Sequence, residues 1–299
     1  MGRILLILLL LTLTAKSLAN SCCGQSPASF TVLSLEQRLS LNTSYSLIQS
    51  QGRVYDSQDF FVWKDKKREI ESLKINLASS FASRHQAFLS SALLRGSYSD
   101  PISSESSQHF SDTQIGYTYE ALPEYRFSYW KPVVYFSLLG NIPTGKSIYD
   151  SSRLSEGTDV TGHNQWGLGL GITLRKVYFP LTITFQAKSL KIFSKTFESL
   201  EVSDFYDSSL ALLFNYALNF QQLALNFGFT TNQLSNRKIT TSQIPSGVMQ
   251  STTTLMGLQR TFGDAWSAGL NYSDQTLLGN PKNTLLNRTL SFNINYNYF

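Results

Sequence analysis

The chain has 299 residues, of which 15% are charged and 13% aromatic, with a formal net charge of +5. Charge this mild gives no basis for nucleic-acid binding, and the Tyr/Phe-rich balance suits many strands and a lipid-facing surface. The length admits two ordinary domains or one large β domain.

Residues 1–19 read as a cleaved secretory signal. Arg3 gives a positive start, Ile4–Leu13 is an apolar run, and Ser17-Leu18-Ala19 supplies small residues for a peptidase. Ten apolar residues are too short for a helical span, which needs roughly 20. No later stretch has 18 uninterrupted apolar residues, so a barrel is the remaining way to cross a membrane. Loss of Arg3 and Lys16 leaves 23 basic residues against 20 acidic ones. Cys22-Cys23 follow in a leader over 20–30, and a bridge between neighbours would be strained. Two free thiols or lipidation at Cys22 both fit. With no second pair, a CxxC metal or redox site is excluded, and no cofactor is expected.

From residue 31 to 299 the sequence predicts strands joined by connections of alternating length. The first, Leu33–Leu47, sets Leu33, Leu35, Leu39, Leu41, Tyr45 and Leu47 on one face and Glu36, Arg38, Ser40 and Asn42 on the other. A polar excursion over 48–71 carries the charge run Lys64–Glu69, read as a solvated loop. Strands two and three, 72–82 and 86–98, meet in a tight turn. A Ser-rich loop leads to strand four, 112–121, and strand five is 132–142. After a long loop comes strand six, 165–176, with Trp166, Leu168 and Leu170 outward and Gly167, Gly169 and Gly171 inward; glycine inside a strand marks curvature or close approach. Strands seven to eleven cover 179–190, 207–220, 223–232, 250–262 and 265–277, with a hairpin signal at Gly263-Asp264.

The closing stretch, Leu286–Phe299, alternates Leu290, Phe292, Ile294, Tyr296 and Tyr298 with Ser291, Asn293, Asn295 and Asn297. One face suits lipid and the other a wet lumen. It resembles the C-terminal recognition strand of bacterial outer-membrane proteins, although Phe299 falls out of the apolar phase. The resemblance implies insertion by the barrel-assembly machinery. The fold expected is all-β: a transmembrane antiparallel up-and-down β-barrel of about 12 strands, with short periplasmic turns and long external loops.

In that arrangement Glu36, Arg38, Lys74, Glu120, Arg175 and Lys188 point into the lumen. They either pair with one another, because lone charges in a low-dielectric interior are costly, or form a mildly basic constriction favouring anionic or polar solutes. Of the histidines, His85 falls in a turn and His109 and His163 in outer loops. His109 with Asp112 is the one near pairing relevant to a hydrolase. Pro143-Thr144-Gly145-Lys146 lacks the second glycine and following helix of a phosphate-binding loop.

Pro132–Gly171 contains Ile142-Pro143-Thr144-Gly145-Lys146, then Gly162 and Gln165-Trp166-Gly167-Leu168-Gly169-Leu170-Gly171. This segment resembles the outer-membrane transporters of the "MetA-pathway of phenol degradation" type, which have a PTG-like turn and a G-x-G-x-W segment. Here His163-Asn164-Gln165 replaces the second glycine spacing. The resemblance implies a barrel that passes small molecules, hydrophobic ones among them. The function expected is an outer-membrane channel or passive transporter for small solutes, not an enzyme, with outer-membrane lipid and a small-molecule solute as partners. The alternatives are a non-conducting barrel with surface-binding loops and an outer-membrane hydrolase.

Overall fold

A computed structural model describes residues 30–299 except 35, 56–58, 151–154, 199, 219–221 and 240–246. The expected signal, the cysteines and all of the expected leader but Phe30 lie outside the described residues. Twelve long strands form the wall: β1 (Leu39–Val54), β3 (Lys67–Ala82), β4 (His85–Ser99), β6 (Thr113–Leu122), β7 (Val133–Ile142), β8 (Gly167–Tyr178), β9 (Leu181–Ile192), β12 (Phe205–Ala217), β13 (Leu223–Leu234), β14 (Met249–Phe262), β15 (Trp266–Asp274) and β16 (Thr284–Tyr298). Each pairs antiparallel with its neighbour along the chain, and β16 pairs with β1 from Leu39↔Tyr298 to Val54↔Thr284. The ring is closed, so no edge of the wall is left unpaired, as a backbone in lipid requires.

Four shorter strands extend the long-loop end. They are β2 (Phe60–Val62) on β1, β5 (Ser104–Phe110) on β4, and the hairpin of β10 (Lys195–Phe197) with β11 (Leu200–Val202). The Ser-rich segment expected to be loop thus holds β5, whose alternating serines left no apolar phase to read.

Alternation fixes which way each side chain points. Along β12, Leu210, Leu212 and Tyr216 are exposed while Ser209, Ala211 and Leu213 are buried. Along β16, Leu290, Phe292, Ile294 and Tyr298 are exposed, whereas Ser291, Asn293 and Asn297 are buried. The apolar face is therefore the outer one, the reverse of a water-soluble barrel. Exposed aromatics gather at both ends of this belt: Phe81, Tyr117, Trp266 and Tyr298 near the short turns, Trp166, Phe193, Tyr206 and Tyr272 near the long loops. That is the layout of a transmembrane barrel with two interfacial girdles.

Three expectations need correction. The first strand begins at Leu39, not Leu33. Glu36 and Arg38 precede it, exposed at the short-turn mouth rather than on the lumen wall, and only the Arg38 backbone joins the ladder, through its N–H to the Tyr298 carbonyl at 2.8 Å. The charge run 64–69 is not all solvated loop, because β3 starts at Lys67 and Arg68 is buried with a guanidinium N–H on Ser50 Oγ at 3.4 Å.

Candidate functional site

The candidate site is the lumen. Much of its wall in the short-turn half is a lattice of short polar side chains, with Glu120 and Arg175 as buried charges among them. Asn42 bridges Asn295 and Asn76, Asn271 donates to Asn293 Oδ1 at 3.0 Å, and Gln259 donates to Ser267 at 2.9 Å. These amides find partners on adjacent strands, which offsets the desolvation cost of facing inward.

Across this half runs the chain's own segment Phe30–Ser34. Phe30, Val32 and Leu33 are at most 3% exposed. Gln86 on β4 holds Leu33 by two bonds, its Oε1 accepting the Leu33 N–H at 2.8 Å and its Nε2 donating to the Leu33 carbonyl at 3.0 Å. On the other side, Gln186 of β9 donates to the Phe30 carbonyl at 3.1 Å. The Phe30 ring stacks on Phe88 with centroids 6.1 Å apart and lies against Gly171, where a Cβ would come within 2.8 Å of it. Phe30, Val32, Leu33, Phe88, Tyr135 and Leu139 form one apolar cluster with Leu190, Ile192 and Phe205. Residues expected as leader and first strand therefore obstruct the bore.

At the long-loop end the connection 143–166 is tied down by Asp112. Its Oδ1 accepts the Gly145 and Asn164 N–H groups at 2.9 and 3.3 Å, and its Oδ2 accepts that of His163 at 2.6 Å. Gly145 and Gly162 are glycines because a Cβ on either would come within 3 Å of Asp112. Farther along, Glu156 meets Arg53 of β1 at 2.9 Å and Thr158 accepts from Ser107 Oγ of β5 at 3.0 Å. Lys146 pairs with buried Asp159 at 2.7 Å.

Asp112 is thus committed to backbone amides, not to the His109 ring. The His163 ring packs edge-on to Phe205 at 5.1 Å, and burial holds its imidazole below the ordinary value, against the pull of Asp207 and Asp112. Neither the His109 nor the His163 ring has a hydrogen-bonded Ser or Asp among the described residues. His85, opening β4, meets Tyr117 Oη at 2.5 Å.

Of the charges expected to line the lumen, Lys74, Glu120, Arg175 and Lys188 lie on the inward phase of β3, β6, β8 and β9. Glu120, Arg175 and Lys188 are 1%, 7% and 8% exposed. No ion pair joins any of the four among the described residues. Lys74 on β3 and Lys188 on β9 stand on nearly opposite walls of the ring. Asp207 is the acid that acts on Lys188. Sequence reasoning missed Phe30, Gln86, Gln186 and Asp207, since nothing local marks a residue whose partner lies across a ring. Outside the wall, where β4 leaves β6 for β5, a cleft of about 580 Å³ opens between Leu93, Phe110, Lys146 and Asn164.

No model of a known protein family matches the chain, and no curated protein sequence matches it. The resemblance of 132–171 to the phenol-degradation-pathway transporters therefore rests on that segment alone. Among solved structures, the chain is similar to the COG4313 outer membrane channel from Pseudomonas putida F1, with a TM-score of 0.69 at 11% identity, over 92% of this chain and 100% of that one. It is also similar to the transport unit of the autotransporter AIDA-I from Escherichia coli, with a TM-score of 0.50 at 8% identity, over 88% and 91%. At such identities the likeness concerns the fold, and the fold is that of an outer-membrane β-barrel.

Proposed function

We propose that this chain is an outer-membrane channel or passive transporter for small solutes, whose bore is obstructed by its own segment Phe30–Ser34. The observation that carries the reading is a closed ring whose polar lumen is crossed, among the described residues, by the short strap Phe30–Ser34. Four glutamine side-chain bonds and one ring stack hold that strap, and no strand pairs with it among the described residues. A barrel built only as an anchor has no need of a removable obstruction across a hydrated lattice. The likeness to a structure described as an outer membrane channel supports the reading. So do the expected signal over 1–19, which would deliver the chain beyond the inner membrane, and the closing strand, which suits the barrel-assembly machinery. The short turns would then face the periplasm and the long loops the exterior. The solutes would be small, and hydrophobic or anionic.

A second reading, a non-conducting barrel, is favoured by the depth at which Phe30, Val32 and Leu33 are packed. Single-channel recording in a planar bilayer separates the two. The full chain is expected to give discrete open steps in symmetric potassium chloride, and deletion of residues 30–34 is expected to raise the unitary conductance. A folded barrel silent in both forms would overturn the channel reading.

A further inference from the structure

We infer that the connection 123–132 is a membrane-interface platform: its aromatic side chains lie among the lipids at the short-turn rim, and Arg126 and Lys131 take anionic glycerophospholipid headgroups as partners. The inference goes beyond the channel reading and holds whether or not the bore conducts.

The connection is longer than closing a hairpin requires. Ser83-Arg84 joins β3 to β4 and Phe179-Pro180 joins β8 to β9, whereas ten residues join β6 to β7 at the same end of the ring. The extra length is folded back onto the outer face of the wall. Lys176 of β8 stands opposite Ile183, one position past the inward pair Arg175↔Thr184, so it points outward in the phase of Leu168 and Leu170. A lysine there would face the lipid rim, yet it is 7% exposed because the connection covers it. Its ammonium pairs with Glu124, donates to the Lys131 carbonyl at 3.1 Å and lies 4.8 Å from the centre of the Phe127 ring. Tyr178, the next outward residue on β8, donates its hydroxyl to the Tyr129 carbonyl at 2.6 Å. Glu124 also accepts the Ser128 N–H at 2.9 Å, and Arg84 donates to Tyr125 Oη at 2.5 Å. Polar contacts thus fasten the segment to the wall and leave most of its aromatic surface uncovered.

Tyr125, Phe127, Tyr129 and Trp130 are 62–91% exposed, and Phe179 in the turn after β8 is exposed as well. Such a patch is out of place in water. It continues the lipid-facing belt, since β7 runs from it through the outward positions Val134 and Phe136, opposite Leu174 and Ile172 of β8. That continuity names the occupant, because Trp and Tyr favour the zone where hydrocarbon meets headgroups. The charges name the class of lipid. Arg126 and Lys131 are exposed and form no ion pair among the described residues, while Glu124, the one acid of the segment, is already paired with Lys176. Uncompensated cations beside interfacial rings fit headgroups of net negative charge, each cation near such a surface giving a roughly fivefold gain in affinity.

Two measurements on the full-length protein test this. In phospholipid vesicles, the emission of Trp130, taken as the difference between the parent and Trp130→Phe, is expected to be quenched by lipids brominated on the upper acyl chain and shielded from aqueous iodide. In detergent micelles, native mass spectrometry is expected to show phosphatidylglycerol retained in preference to phosphatidylcholine. Arg126→Gln and Lys131→Gln should each lower the apparent affinity for phosphatidylglycerol about fivefold. Lys238→Gln, beyond β13 at the long-loop end, should leave it unchanged. Each variant's heat-modifiable electrophoretic mobility reports that the barrel is folded. A Trp130 open to iodide and untouched by brominated lipid, equal retention of the two lipids, or unchanged phosphatidylglycerol affinity in the folded Arg126→Gln/Lys131→Gln double variant would each overturn the inference. So would a dimer of the parent that Trp130→Ser dissolves, since the occupant would then be a second copy of the chain. Neither readout needs conduction, so a protein that meets these expectations and never conducts overturns only the channel reading.

Discussion

At the scale of single residues, Asp112 shows how one carboxylate can organise a long loop. It sits between β5 and β6 and accepts three backbone N–H groups from two separate stretches of the connection 143–166. The Pro-Thr-Gly turn and the Gly162–Gln165 stretch, which the sequence shows as two motifs some 17 residues apart, are the two halves of this one ligation. Asp112→Ala leaves those amides without an acceptor, which costs about 1–3 kcal/mol for each buried group so exposed. Since the wall strands make no use of the carboxylate, the loss should stay local. Hydrogen exchange at Gly145, His163 and Asn164 is expected to speed up strongly while exchange in β7 and β8 stays as in the parent. Uniform acceleration through both strands would show instead that Asp112 holds the wall. The glycines were legible in the sequence, but their reason was not, because the aspartate precedes them by more than thirty residues.

At the scale of elements, the strands were legible because an inside and an outside differ along every one of them, and a period of two survives errors in boundary. The obstruction was not, for a related reason. Leu33 continues the phase of Leu39 and Leu41, so a segment lying across the lumen reads as two more turns of pleat. What distinguishes it is its partners, Gln86 and Gln186, which are distant in sequence. Gly171 offers a way to disturb it from the wall. Valine is favoured in strands, yet a Cβ there would stand 2.8 Å from the Phe30 ring, and the strap, which is outside the ladder, is the part that must give. Gly171→Val is therefore expected to leave the barrel folded and to raise its conductance toward that of the 30–34 deletion. Conductance equal to the parent's, in a folded variant, would mean that Phe30 does not limit the path.

At the scale of the whole molecule, the closure of β16 on β1 turns twelve amphipathic strands into one surface with an apolar outside and a polar inside. The phase of Lys74, Glu120, Arg175 and Lys188 was readable strand by strand, whereas which walls stand opposite one another was decided by the ring: β3 and β9 lie on nearly opposite sides once all twelve strands are in place. The inversion of polarity also makes a quantitative demand. In a soluble sandwich, an arginine placed on an outward strand position would be solvated and nearly neutral in stability. In a bilayer the same arginine must enter hydrocarbon. Leu212 lies midway along β12 on the outer face, and Leu212→Arg should cost about 2–4 kcal/mol when the barrel is unfolded reversibly from lipid vesicles by guanidinium. Thr196→Arg, on the exposed β10 beyond the long-loop girdle, should stay within about 0.5 kcal/mol of the parent. The contrast should shrink for the same pair compared in detergent micelles, where the deformable belt lets a charged group reach water. Equal costs for the two substitutions in vesicles would contradict a lipid-facing belt at Leu212, and with it the placement of the ring in a membrane.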